Sequence, residues 1–81
     1  MTEKEQIEKA ADAVLSEKRL DWVIASVEEN RPSHAWDIEL EVPDGPELFF
    51  SVPKGSLQQI KNSIRQQTEE EMGRLKAHRT F

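Results

Sequence analysis

Residues 35–52, AWDIELEVPDGPELFFSV, decide the fold of this 81-residue chain. Apolar and acidic residues alternate through the first half of the segment, and a β-strand places alternate side chains on opposite faces. Turn-forming residues then reverse the chain before a second apolar run. We therefore predict an antiparallel hairpin with one dry face. The first strand directs Trp36, Ile38, Leu40 and Val42 to the dry face, and Asp37, Glu39 and Glu41 to the other.

Burial selects the register of this hairpin. A two-residue turn at Asp44 and Gly45 would place the apolar residues of the second strand on the acidic side. A register that gathers every apolar residue on one face is more stable, and it needs a longer or bulged loop over residues 43–47. The predicted pairs are Val42 with Leu48, Leu40 with Phe50, and Ile38 with Val52.

Phe49 is the one large apolar residue that this pattern does not bury. It falls on the acidic face, beside Glu39 and Glu41. Trp36 and Phe50, in contrast, are predicted to lie in the core.

Two capping boxes predict a helix at each end of the chain. Thr2 precedes Glu5 by three residues and Ser56 precedes Gln59 by three, the spacing at which the two residues of a capping box bond reciprocally. The last helix is predicted over residues 57–75, with an interruption at Gly73 as an alternative. The buried stripe of the first helix comprises Ile7, Ala10, Ala11, Val14 and Leu15; that of the last comprises Leu57, Ile60 and Ile64, and thins to Thr68, Met72 and Leu75.

Residues 20–29 fit two structures. Leu20, Val23, Ile24 and Val27 have helical spacing, whereas the run around Trp22 is short and rich in strand-forming residues. The apolar stripe of these four residues is out of phase with that of the first helix, so we favour a strand.

The predicted fold class is α+β, an antiparallel hairpin or three-stranded meander with both helices packed on one face. The predicted order of elements is α-β-β-β-α, with α-α-β-β-α as the alternative. We predict that residues 1–75 form a single small domain and that residues 76–81 form a flexible tail.

Composition narrows the class of function. The 16 acidic residues outnumber the 11 basic ones and give a net charge of −5, which disfavours direct DNA binding because phosphate contacts need a basic face. Cysteine is absent, so thiolate chemistry and disulfides are excluded. The polar N-terminus and the lack of a long apolar run predict a soluble cytoplasmic protein that does not enter a membrane.

No motif for catalysis, cofactor binding or metal binding is visible. His34 and His78 lie far apart in sequence and form no zinc-binding pattern. The carboxylates of Asp37, Glu39 and Glu41 would form a solvated row, which is typical of a strand protected from wrong pairing rather than of an acid–base pair. An enzyme would need this row or His34 to act in a site completed by a second protomer. We therefore predict no catalytic residue, no cofactor and no metal ligand.

The leading hypothesis is a small non-catalytic protein-interaction module that forms a homodimer. A core this small is stabilised by association. The predicted contacts are Phe49 with Glu39 and Glu41, or Met72 and Leu75 on the distal part of the last helix. The alternative is a structural protein associated with nucleic acid or with phage assembly, acting through the basic tail of Arg74, Lys76, His78 and Arg79.

The order of helix, hairpin and capped helix is similar in outline to that of the small head–tail joining proteins of lambdoid phages, in which a helix and a hairpin also precede a second helix. The similarity spans roughly residues 2–68 and shares no specific motif. It implies an α+β fold and a role in assembly, and it assigns no functional residue.

Overall fold

The computed structural model describes the backbone of residues 2–78 and the side chains of residues 2–75. Its element order, α-β-β-β-α, confirms the predicted fold, and residues 20–29 contribute a strand rather than a helix. The three strands form an antiparallel meander in the order β1-β2-β3, covered on one face by both helices. The elements are α1 (Glu3–Glu17), β1 (Val23–Asn30), β2 (Ala35–Glu41), β3 (Glu47–Pro53) and α2 (Leu57–His78).

Both predicted helix starts are capped. The Thr2 hydroxyl accepts the Glu5 amide at 3.3 Å. At α2 the box is reciprocal: the Ser56 hydroxyl accepts the Gln59 amide at 3.2 Å, and the Gln59 side-chain oxygen accepts the Ser56 amide at 2.9 Å. These bonds satisfy backbone donors that have no partner within the helix.

The end of α1 explains why the apolar stripe changes phase after residue 18. Arg19 adopts a left-handed conformation, with φ of 56°, and the Leu20 amide donates back to the Leu15 carbonyl at 2.9 Å. This arrangement is the Schellman motif that commonly ends helices. The chain leaves the helix axis here and enters β1 at Val23, four residues after Arg19.

A β-bulge at Ala25 accounts for the helix-like spacing in β1. Ile24 lies opposite Leu40, but the next paired residue, Ser26, lies opposite Glu39, so Ala25 is the extra residue. Ile24 and Val27, three positions apart, therefore both face the helices. In a regular strand they would point to opposite faces.

The predicted register of the second hairpin is wrong by two residues, although the faces are right. The loop comprises residues 42–46, and the Gly45 amide donates to the Val42 carbonyl at 2.9 Å. Val42 therefore belongs to the loop and not to the strand. A shift of two keeps each side chain on its face, so burial alone does not distinguish the two registers. The observed pairs include Leu40 with Leu48, Ile38 with Phe50, and Trp36 with Val52.

The two helices run in the same direction across the inner face of the sheet. The starts of the two helices lie together, since Gln6 and Leu57 line one shallow cleft. The end of α1 lies beside a later part of α2. There, Arg65 Nε is 2.9 Å from Glu17 Oε2, and Lys18 Nζ is 2.6 Å from Glu69 Oε1. Between the helices and the sheet lies one core. Its residues are Ile7, Ala10, Ala11, Val14, Leu15, Trp22, Val27, Trp36, Ile38, Leu40, Val42, Leu48, Phe50, Val52, Ile60 and Ile64.

Leu57 is a correction to the predicted core, because its side chain is 52% exposed. It lies in the first turn of α2, where the long polar side chains of Gln6 and Lys9 border it without enclosing it. The helix then continues without interruption through Gly73 and ends at His78, three residues beyond the predicted end.

Replacing Gly73 with alanine is expected to stabilise the fold by about 0.4–1 kcal/mol, because glycine costs helix stability through its flexibility in the unfolded chain. A Cβ atom at this position would meet no atom within 4 Å. Urea unfolding measures the change. Gly45→Ala is the matched control: its Cβ would lie 2.9 Å from Val42 Cγ1, so no gain is expected there. Equal gains at both positions, or none at Gly73, would contradict this account.

Candidate interaction surface

The face of the sheet that turns away from the helices carries most of the unusual features of the molecule. Three cross-strand rows are formed by the outward residues of the three strands. Side chains in such rows have Cβ atoms about 4.5–5.5 Å apart. The rows are Val23, Glu41 and Glu47; Ser26, Glu39 and Phe49; and Glu28, Asp37 and Ser51. We call the carboxylates of Glu28, Asp37, Glu39, Glu41 and Glu47, together with the side chains of Val23 and Phe49, the acidic face.

The acidic face carries charge of one sign only. None of the three strands contains a lysine or an arginine. Among the side chains that the structure describes, no ion pair involves a carboxylate of this face; the ion pairs lie on the helices and at the rim of the sheet. Two like-charged pairs stand directly opposite each other, Glu28 with Asp37 and Glu41 with Glu47. Such pairs destabilise a sheet, so the need for stability does not explain them.

Two of the carboxylates are oriented by side chains of β1. Ser26 donates its hydroxyl to Glu39 at 3.3 Å, and Asn30 donates its amide to Asp37 at 3.2 Å. The other three project from exposed positions of the strands. Part of the face is therefore preorganised, and the rest is left to solvent.

Two apolar side chains interrupt the charges. Phe49 is 72% exposed and lies on the acidic face, as its sequence position predicted. It lies directly opposite Glu39, whereas the predicted register would have placed it opposite Glu41. Val23 is 56% exposed and lies opposite Glu41, because the bulge at Ala25 turns it away from the core. The two residues lie on the outer strands, with β2 between them, so each is a separate apolar point of contact among the charges.

Met72 and Leu75 have a different environment. Both are half-buried and pack against the edge of the core. With Leu20, Trp22 and Val42 they line a groove of about 590 Å³ beside the loop that joins β2 and β3. These two side chains therefore contribute to the fold as well as to the surface of this groove.

A lysine contacts both an aromatic ring and a carboxylate at the end of the sheet opposite to this groove. The ammonium group of Lys54 lies 5.6 Å from the centre of the Trp36 ring and also forms an ion pair with Glu29. The hydrogen bond from Lys54 lowers the pKa of the Glu29 carboxyl below its ordinary value. On the helices, the hydrogen bond from Arg65 likewise lowers the pKa of Glu17.

Of the two histidines, the structure describes the side chain of His34 only. His34 is exposed in the turn between β1 and β2, with φ of 50°. Within residues 2–75, no group of three or more histidine, aspartate and glutamate side chains is arranged to hold a metal ion. The basic tail is described only in part. Arg74 Nη1 lies 3.1 Å from Glu71 Oε1. The side chains of Lys76, His78 and Arg79 lie outside the described residues.

Comparison with protein-family models, with curated proteins and with solved structures finds no match to this chain. No comparison supports the similarity to head–tail joining proteins, and β1 is a strand that the outline of helix, hairpin and helix does not contain. Over the described residues, neither helix is long and apolar enough to cross a membrane.

The sequence identified the centre of this surface but not its extent. Phe49, Glu39 and Glu41 lie together, as their pattern predicted, whereas Met72 and Leu75 lie on the other side of the sheet, in the groove. Val23, Glu28 and Glu47 were missed. The register of the strands shows that Glu28 and Glu47 point away from the helices. The outward direction of Val23 follows only from the bulge at Ala25.

Glu41→Gln is expected to stabilise the protein by about 0.2–1 kcal/mol at low salt, because it removes the repulsion between directly opposed carboxylates. The gain in stability is smaller at high salt, because salt already screens the repulsion between the two carboxylates. Thermal unfolding at two ionic strengths measures both effects. Glu70→Gln, which makes the same charge change on an exposed part of α2, gives no such gain. A loss of stability in Glu41→Gln would show that the like charges are not repelling each other.

Proposed function

We propose that this chain is a non-catalytic protein-interaction module that binds a basic protein surface through its acidic face. The observation that carries the proposal is the composition of the face: five carboxylates, no basic residue in any strand, and two exposed apolar side chains. Charge complementarity selects the partner, since a surface of one sign attracts the opposite sign and rejects its own. Phe49 and Val23 supply apolar contact that charge alone does not give.

A protective role for the charges is the competing explanation. Charged residues on strands discourage edge-to-edge aggregation. Protection alone does not account for Phe49 and Val23, because exposed apolar side chains raise the tendency to aggregate. It also does not account for the absence of lysine from the three strands, since lysine is the charged residue most used to protect strand edges.

We further propose that the module self-associates. Two acidic faces repel each other, so they are a poor contact between copies. A dimer therefore needs another surface, and the outer edge of β3 offers unpaired backbone groups. The two proposed contacts differ in their chemistry and can be tested separately.

Binding to a basic probe tests the role of the acidic face. The probe is a fluorescent ten-residue peptide that alternates lysine and leucine, and fluorescence anisotropy measures its affinity for the full chain. We expect binding that weakens as salt is added. Neutralising three carboxylates by Glu39→Gln, Glu41→Gln and Glu47→Gln should weaken it about tenfold, because exposed ion pairs contribute about 0.2–1 kcal/mol each.

A triple variant on the helices is the matched control. Glu5→Gln, Asp12→Asn and Glu70→Gln change the net charge by the same amount at exposed positions. This control should keep the affinity within about twofold. Equal weakening by the two triple variants would show that net charge, not the acidic face, attracts the peptide, and absence of binding would reject the proposal.

A further inference from the structure

We propose that the outer edge of β3 pairs with the same edge of a second copy of this chain, in an antiparallel register centred on Phe49. The proposal rests on the self-association proposed above and specifies the surface, the residues and the pairing. The two three-stranded sheets would join into one sheet of six strands.

The backbone groups of β3 alternate between β2 and the outside. The Lys54 amide donates to the His34 carbonyl at 3.0 Å, so it faces the β2 side. In an antiparallel pair, every second residue makes the inter-strand bonds. Glu47, Phe49 and Ser51 therefore direct their amides and carbonyls outward. The side-chain amide of Gln67 donates to the Ser51 carbonyl at 2.9 Å, which is consistent with this direction.

The edge of β3 is the less protected of the two edges of the sheet. At the other edge, the bulge at Ala25 distorts β1, and bulges are a common means of preventing further pairing. β3 pairs with β2 over seven residues without a shift and contains no lysine. Pro46 precedes the strand and Pro53 is its last residue. Because Pro53 has no amide hydrogen to donate, the available edge is confined to residues 47–51.

The sequence of this edge favours one register. Centring the pair on Phe49 places the two Phe49 rings opposite each other and places Glu47 opposite Ser51 of the second copy. Aromatic cross-strand pairs stabilise sheets, and this register brings no two carboxylates directly opposite each other across the new contact. Centring on Glu47 would oppose the two glutamates, and centring on Ser51 would set Phe49 against Pro53, which lacks a donor. The favoured register forms about six backbone hydrogen bonds. In two of them the Ser51 carbonyl exchanges the bond from Gln67 for one from the second copy.

The charge of the face gives this dimer an unusual salt dependence. Joining the sheets brings the two acidic faces side by side, so their repulsion opposes association. Salt screens that repulsion and should strengthen the dimer, whereas it weakens binding of a basic partner. A contact at one strand edge is also smaller than that of a stable dimer, so dissociation on dilution is expected.

Sedimentation velocity of the full chain, from about 10 μM to about 1 mM, tests the pairing through its effect on the dissociation constant. We expect a monomer–dimer equilibrium that shifts toward dimer with salt. Ser51→Lys places a cation opposite Glu47 of the second copy twice per dimer, so the dimer should tighten about threefold to tenfold. Ser51→Glu places like charges there and should weaken it by a similar factor. Both changes are at an exposed position of the strand.

Ala25→Lys and Ala25→Glu are the controls, since they make the same changes of charge at the exposed bulge on the opposite edge. These two variants should change the dissociation constant of the dimer much less than Ser51→Lys and Ser51→Glu do. A strict monomer across the concentration series overturns this inference, and so does a dimer that responds equally to the two pairs of variants. If such a chain still binds the lysine–leucine peptide, only the pairing at β3 is rejected and the role of the acidic face is retained.

Discussion

Burial of one face of a three-stranded sheet is the constraint on which the rest of this structure depends. Both helices cover the same side, so every apolar strand residue that contributes to the core must point that way. The bulge at Ala25 satisfies this requirement for Ile24 and Val27, whose spacing would otherwise divide them between the faces. Within residues 2–78 no helix or strand covers the opposite side, where the carboxylates of the acidic face and Phe49 lie.

The sequence was informative wherever burial or local chemistry left one solution. Alternation in β2 predicted the two faces, and the residue types at Ser56 and Gln59 predicted the start of α2. The pairing of β2 with β3 was predicted two residues away from its true position, since such a shift leaves every side chain on its face. Val23 was missed because its direction depends on the bulge, which no local pattern indicates. The burial of Leu57 was overestimated because helix spacing does not show where the neighbouring layer ends.

The resulting molecule has two electrostatically different sides. Its described ion pairs lie on the helices or at the rim of the sheet, and none of them involves a carboxylate of the acidic face. A basic partner would therefore approach from one side only. Pairing at the edge of β3 would place two acidic faces in one continuous surface, so that a partner with two basic segments could engage both. Each copy would then increase the apparent affinity of the other through effective concentration.

Amide chemical shifts of the isotopically labelled chain, recorded during titration with the lysine–leucine peptide, test the central claim that the uncovered side of the sheet is the interaction surface. Dilute protein keeps self-association out of the measurement. The account predicts shift changes concentrated at the outward residues of β2 and β3, above all Glu39, Glu41, Glu47 and Phe49, with α1 and α2 nearly unchanged. Changes confined to the helices, or to the groove lined by Met72 and Leu75, would contradict it.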